Sequence, residues 1–427
     1  MSPLTPPDAA MYWRSLTAAT DQYLLYAFAA TDAPVSALVE RLSARARGIA
    51  DLNLTVEPVP GDLDYPRWQP SPVAADQFRT YDVTTWDDCL RSVADLMATP
   101  RRAADALWRV HIFGQLVGVP EARGGPANVV VLQISHALGD GRRVSAIARR
   151  LLSDGEPDPP PRAARLPAAV VAGVGAATTL PRLAVGTAAG MAAWRKQSRR
   201  RGRIDSPVAP IEPTVLNLPD SGRIELRTLT LRRAAVRELG PSVTLGILVA
   251  VAEVLPAFGG ATRDGRVVVE LTVARDSRNR QRNDFHTVPI DLDAGLGRAE
   301  RAASIGRQIG AARRRDDDPA NVAARRAAAA APAVLEALAV RLSATGPIPD
   351  RVAGATVVSS VNRGAGDLVL AGGRVLFTAG FPALSTVHGM THGVHGIGDT
   401  VTVSIAARGA AAHRIDGYLA ALRAALA

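Results

Sequence analysis

The sequence predicts an α+β fold in two halves, and three observations carry that prediction. The chain has 427 residues with 47% hydrophobic content, enough for a sizeable core and more than one domain usually holds. Strand-like and helix-like stretches mix without the strict alternation of a doubly wound sheet. The texture changes at Ser153, where SDGEPDPPPRAARLP is rich in proline and charge. The expected division is therefore 1–155, a Pro-, Ala- and Arg-rich linker and crossover over 156–214, and a second half over 215–427.

In order, Tyr23 to Ala29 reads as a strand and Val35 to Arg47 has helical periodicity. Leu52 to Pro58 alternates, Pro60 to Ala74 is a Pro-rich loop, and Trp86 to Ala98 is helical. In Leu107 to Leu116, Trp108, Val110 and Ile112 alternate with Arg109, His111 and Phe113, which predicts a strand pairing with Val129 to Ile134 across the Pro120 to Ala127 loop. Ala168 to Trp194 is Ala/Gly-rich and weakly helical, and it ends in the basic run Arg195 to Arg203. In the second half, strands are expected at Arg223 to Leu231, Val267 to Ala274 and Phe285 to Leu292. Further strands fall at Ala355 to Val361, Arg374 to Phe377, Gly389 to Val394 and Thr400 to Ala406. Helices are expected at Ser242 to Phe258, Ala299 to Arg315, Ala320 to Leu342 and Ile415 to Ala427.

The stretch that carries chemistry is VVVLQISHALGDGRRVSAIARRLL, Val129 to Leu152. Val129 to Ile134 is β-branched and uncharged, a core strand. Gly139, Asp140 and Gly141 supply turn chemistry, with Asp140 as the cap of a helix over Arg142 to Leu152. A rigid strand thus delivers His136 to a loop. Imidazole is the side chain whose ordinary pKa lies closest to neutrality, so His136 is the candidate general base. The bland alternative is a hydrogen-bonded loop histidine beside a helix cap.

Composition narrows the function classes. The net charge is +10, yet Lys196 is the single lysine and aromatic content is 4%. That pattern fits codon bias better than a nucleic-acid surface, and no helix-turn-helix, zinc or RNA-binding signature accompanies it. Cys89 stands alone, which excludes an intrachain disulfide and fits a small buried hydrophobe. No secretory signal is expected, nor a membrane span: Leu166 to Leu180 is too short, and His388, His392, His395 and Pro382 break the apolar tract after Val375. His388 and His392 on one extended strand would be about 13 Å apart, too far to share a zinc ion. A cytoplasmic location is expected, with the basic run free to touch anionic lipid or a nucleotide phosphate.

Several further segments join His136 in a recognisable order. Thr5 to Met11 reads TPPDAAM, and Ala106, Leu107 and Trp108 precede the strand before the active-site loop. Arg275 and Asn283 flank a charged loop, VSSVNRG spans Val358 to Gly364, and LAGGRV spans Leu370 to Val375. In these segments the chain resembles the wax ester synthase/diacylglycerol acyltransferase family of the CoA-dependent acyltransferase superfamily, whose signature is HHxxxDG. It departs where Ser135 replaces the first histidine, where Leu245 and Gly246 replace an Asn-Asp pair, and in the altered VSSVNRG segment.

The resemblance implies a chloramphenicol acetyltransferase-like fold, a two-domain pseudo-dimer with an interdomain tunnel. It implies an acyl-CoA-dependent O-acyltransferase acting on a hydrophobic alcohol or glycerolipid, with His136 as base, acyl-CoA as co-substrate and no bound cofactor. Asp140 is then structural, braced by Arg275, and Gly141 lets the backbone approach the tunnel. Ser135, Arg275, Asn283 and His392 complete the expected site, with His395 as an alternative lining residue and His286 as a lesser candidate. Ser135 is not expected to act as a nucleophile, because neighbours on a strand point to opposite faces. Two alternatives stand beside this: a condensing enzyme taking its acyl group from an acyl carrier protein, and a catalytically silent lipid-binding relative. A peripheral contact with a membrane or lipid droplet is a further expectation.

Overall fold

A computed structural model describes residues 2–159, 167–198, 208–218, 222–275, 281–345 and 348–427. In chain order the first half runs α1 (Pro6–Ser15), β1 (Asp21–Ala29), α2 (Val35–Arg47), β2 (Leu54–Glu57), β3 (Arg67–Pro70), β4 (Phe78–Tyr81), α3 (Trp86–Ala98), β5 (Trp108–Leu116), β6 (Ala127–Ser135) and α4 (Gly141–Leu152). Next come α5 (Ala168–Ser198), β7 (Ile224–Arg232), α6 (Arg233–Glu238), α7 (Val243–Val254), β8 (Val268–Ala274), β9 (Phe285–Asp291) and α8 (Arg298–Asp317). The chain closes with α9 (Pro319–Ala328), α10 (Ala333–Thr345), β10 (Val357–Asn362), β11 (Val369–Leu370), β12 (Gly373–Phe381), β13 (Met390–Ile397), β14 (Thr400–Arg408) and α11 (Ile415–Ala425).

Among the described residues these strands form two six-stranded sheets, ordered β11-β12-β1-β6-β5-β4 and β7-β14-β13-β10-β8-β9, and a ribbon of β2 and β3. Every residue of β6 is buried, which is why its sequence is a continuous apolar run rather than an alternation. The expected hairpin is present, with Trp108 opposite Ile134. On the other flank β1 pairs along the whole of β6, Asp21 opposite Ser135 through Ala29 opposite Ala127.

The free edge of β1 takes β12, Tyr23 opposite Phe381. The expected division at 155 and 215 is therefore not a division of sheets, because β11 and β12, late in the chain, complete the first sheet. The sheets touch where glycine permits it. A methyl group on Gly393 would lie 2.0 Å from the Gly380 carbonyl oxygen, so neither strand tolerates a side chain there. One apolar cluster also spans the halves, joining Val129 and Val131 of β6, Leu90 and Val93 of α3, and Leu226 and Ala406 of the second sheet. Buried Cys89 lies in it, its thiol pushed up by desolvation.

Two expectations about helices need correction. The stretch Ala320 to Leu342 is two helices, because Pro332 has no N–H to continue the first. More consequentially, α5 is 31 residues long with Pro181 inside it, and its Ala169–Arg195 part is long and apolar enough to cross a membrane by length and composition. The expectation of too short a tract fails because Ala and Gly carry the helix past Leu180. In the fold α5 lies against the surface: Gly175 fits against the Leu63 carbonyl, where a methyl would come within 2.3 Å, and Arg182 pairs with Asp64 at 2.7 Å. Val174, Leu180, Val185 and Trp194 of this helix are exposed. Beyond Ser198 the basic run lies outside the described residues.

Candidate active site

β6 ends at Ser135, and a single 3-10 turn, His136–Leu138, follows before α4 begins. Ser135 makes that turn, its Oγ accepting from the Ala137 N–H at 3.2 Å while its own N–H donates to Leu107 at 2.8 Å. It is 1% exposed. Ser135 therefore shapes the loop; expected in the substrate site, it is not among the residues that line the cavity His136 enters, and its Oγ is bonded to Ala137 and not to His136.

His136 projects from the turn into a cavity of about 570 Å³ between the sheets. The walls come from both halves: Gln22 and Leu24 of β1, Gly141 of α4, Phe285 of β9, Ser359 of β10 and His395 of β13. The Phe285 ring lies 5.7 Å from the imidazole. Gly141 is needed at the wall, because a methyl there would meet Val361 at 3.0 Å. The Gly139 carbonyl is held by the Gln22 amide at 2.8 Å.

The ring's orientation follows from its neighbours. Asn283 uses its amide N–H groups on the His136 carbonyl, 2.7 Å, and on Asp8, 3.0 Å. Its amide oxygen therefore faces His136 Nδ1, at 3.4 Å. Nδ1 carries the proton in that arrangement, and Nε2 keeps its lone pair. Burial pulls the His136 pKa below its ordinary 6.5, opposed by the hydrogen bond to Asn283 and the charge of Asp140. The imidazole is thus neutral near pH 7, the form a base requires. Asn283, expected in the substrate site, is 4% exposed and not among the cavity-lining residues; its bonds go to His136 and Asp8.

The Asp140 carboxylate is taken up by backbone N–H groups, and Arg275 is not its partner. One carboxylate oxygen caps α4, accepting from Arg142 and Arg143 N–H groups at 3.1 and 3.0 Å; the other accepts from the Asp284 N–H at 3.0 Å. Arg275 instead grips Asp316 with Nε at 2.8 Å and Nη2 at 3.1 Å. The brace on the active-site turn is Arg282. Its carbonyl accepts from the Asp140 N–H, its Nη1 donates to Leu138 and to Asp51, and its guanidinium stacks over Trp68 at 4.4 Å.

His392 also needs correction. It is fully buried in the second half's core, with Nδ1 on Thr356 at 3.1 Å and Nε2 on Tyr418 at 2.8 Å. Burial draws its pKa down to about 4. His395, three residues on along the same strand, is the histidine that reaches the cavity. His388 faces Glu270 at 3.0 Å. His286 lies outside the cavity, 4.0 Å from Asp316.

The residue that sequence reasoning missed is Asp8. It is 1% exposed, and its carboxylate accepts from the Arg282 and Asn283 N–H groups at 3.1 and 2.9 Å, and from Thr5 Oγ1 at 2.6 Å. The start of α1 is thereby stitched to the loop that aims His136. The signal was present as Thr5-x-x-Asp8 ahead of an apolar run, a helix-start pattern.

No protein-family profile matches the chain, and no curated protein does. Solved structures do match. A wax ester synthase/diacylglycerol acyltransferase from Marinobacter aquaeolei VT8 is 16% identical with a TM-score of 0.62, covering 100% of this chain and 98% of that one. A trichothecene 15-O-acetyltransferase from Fusarium sporotrichioides is 12% identical, TM-score 0.58, over 99% and 93%. A mutant starter condensation domain of rhizomide synthetase, in complex with C8-CoA and Leu-SNAC, is 12% identical, TM-score 0.57, over 99% and 93%. The chain shares the fold of these proteins, two α+β halves around a central cavity.

Proposed function

We propose that the protein is an acyltransferase that uses His136 as general base, with an acyl-CoA as donor and a hydroxyl on a largely apolar molecule as acceptor. The observation that carries this reading is the imidazole itself: neutral, fixed through Nδ1 by Asn283, with Nε2 turned to a cavity walled by both sheets. Its structural neighbours include a wax ester synthase/diacylglycerol acyltransferase, a trichothecene 15-O-acetyltransferase and a condensation domain in complex with C8-CoA, which supports the reaction class.

In this reading Nε2 removes the acceptor hydroxyl proton as that oxygen attacks the thioester carbonyl carbon. The tetrahedral adduct expels the CoA thiolate, and His136 returns the proton to sulfur. Nothing in the step requires a covalent enzyme intermediate, since holding two reactants in line lowers the barrier by itself. Asp8, Asn283, Asp140 and Arg282 act by keeping the ring aimed.

A donor carried on a protein instead of CoA uses the same base, and the condensation-domain neighbours favour including it. A cytoplasmic enzyme resting on a lipid surface through the outer face of α5 fits the apolar acceptor. The test is acceptor-dependent release of CoA thiol from palmitoyl-CoA with mixed long-chain alcohols, the ester being identified by mass spectrometry. Thiol release with ester formation supports the proposal; no release with any donor and acceptor leaves the silent lipid-binding alternative.

A further inference from the structure

Among the described residues, one buried charge on the cavity wall has no carboxylate to balance it. Arg363, just past β10, is 5% exposed and lines the same cavity as His136. Its Nη1 donates to Thr378 Oγ1, to the Ala379 carbonyl at 2.7 Å and to the Leu25 carbonyl at 3.4 Å, while its Nε has no partner. No carboxylate among the described residues pairs with it. The contrast with other buried guanidiniums is clear: Arg301 has Glu253 at 3.0 Å and Arg282 has Asp51 at 2.7 Å. The Tyr26 ring packs against Arg363 at 5.2 Å, but burial holds that phenol protonated. A buried cation without a counter-charge is strongly unfavourable unless something supplies one.

A second unsatisfied group sits beside it. His395 is 6% exposed, lines the cavity, and its Nδ1 has no partner. Two glycines make the room for both. A methyl on Gly380 would lie 2.5 Å from Arg363 Nη2 and 2.9 Å from His395 Cε1, and one on Gly393 would lie 2.8 Å from the same carbon. Arg363 reaches the backbone of β1 at Leu25, whereas the His136 end of β1 is Asp21, opposite Ser135. Four strand residues separate these levels by about 13 Å.

We propose that Arg363 and His395 form a carboxylate subsite, binding the far end of an elongated substrate whose reacting group lies at His136. The preferred substrate is then an acyl chain or alcohol that ends in a carboxylate, such as a dicarboxylic acyl group or an ω-hydroxy acid. The identity of the reacting group rests on the acyl-transfer reading; binding of the carboxylate does not.

Calorimetric titration of the full chain with octanoate and with octanol separates the two. Wild type is expected to bind octanoate tighter by about ten- to a hundredfold, the range for hydrogen bonds to a charged group. Arg363→Gln is expected to lose that preference, Arg363→Lys to retain part of it, and His395→Gln to weaken octanoate without weakening octanol, each with an unchanged circular-dichroism spectrum. Equal binding of the two ligands by wild type, or a preference that survives in both folded Arg363→Gln and His395→Gln, overturns the subsite. If Arg363→Gln does not fold, His395→Gln and Arg363→Lys decide it alone. Thiol release then tells the sources apart: suberyl-CoA against octanoyl-CoA places the carboxylate on the donor, and ω-hydroxyoctanoate against octanol places it on the acceptor. A carboxylate preference in titration with no turnover of any substrate supports the subsite and removes the transferase reading.

Discussion

At the scale of single residues, the working parts of the site are those that aim His136. Arg282 and Arg275 make the comparison sharp, because they sit seven positions apart at the two ends of one loop. Arg282 touches the turn at Leu138 and Asp140 and is paired with Asp51, while Arg275 turns away to Asp316. Arg282→Ala is expected to lower stability by about 2 kcal/mol, the worth of hydrogen bonds to a charged group, and to lower turnover with it. Arg275 also donates to the Phe285 carbonyl at 2.6 Å but makes no contact with the turn, so Arg275→Ala is expected to leave the turn intact and to lower turnover less than Arg282→Ala does. Urea unfolding and thiol-release rates on the two variants check this, and the reverse order would contradict it. The places of His136, Asp140 and Gly141 were legible in the sequence because they depend on neighbours in the chain: a strand end, a cap, a close approach. The partners of Asp140 were not, since a backbone N–H from residue 284 leaves no mark on the residue types around it. Arg363 was equally silent, a charge whose burial is created by β1 and β12 arriving from distant parts of the chain.

At the scale of elements, local pattern placed most strands and helices but passed over α1, β3, β4, α6 and β11, and its failures are instructive. Apolar periodicity fixed α2 and α3 and the β5–β6 hairpin, because each buries an apolar face, that of α2 within its own half and that of α3 in the cluster that spans both. It could not show that β12 leaves the second half to complete the first sheet, since strand pairing across some 350 residues is decided by which edge is open. Nor could it show α5 as one helix, where Ala and Gly make the apolar face weak. Gly246, standing where the family resemblance expects an acidic residue, also has a packing reason: a methyl there would lie 2.1 Å from the Val236 carbonyl, so α6 and α7 are pressed together. The exposed Leu180, Val185 and Trp194 of α5, followed in sequence by five arginines and a lysine between Arg195 and Arg203, fit an anionic lipid surface. Co-sedimentation with phosphatidylglycerol vesicles is expected for the wild type, with a blue shift of Trp194 fluorescence, and is expected to weaken in Leu180→Asp with Val185→Asp. Equal recovery of both proteins in the supernatant would contradict it.

At the scale of the whole molecule, the fold keeps several imidazoles neutral, and stability must follow pH accordingly. Burial pulls His111 and His392 down to about 4. Unfolded, each takes up a proton below about pH 6.5; folded, each resists protonation until about pH 4. The unfolded chain therefore binds more protons across that window. Stability from these groups is full above pH 6.5 and is lost as pH falls, by as much as about 1.4 kcal/mol per pH unit for each. Asp21 and Glu336, whose carboxyls burial raises, run the other way and offset part of the loss only within the carboxylate range. Urea unfolding is expected to show a loss of about 2–3 kcal/mol between about pH 7.5 and about pH 5.5, and a flat profile would show that these rings are not desolvated as the sheets imply.

The claim on which the rest depends is that two sheets deliver one unprotonated ring nitrogen to a shared cavity. The rate of CoA release from palmitoyl-CoA by wild type and by His136→Ala, with the same alcohol acceptor, measures that directly. Loss of about 10²- to 10⁴-fold, the share a general base contributes, in a folded variant is the predicted result. An active wild type whose rate survives the substitution unchanged would contradict it.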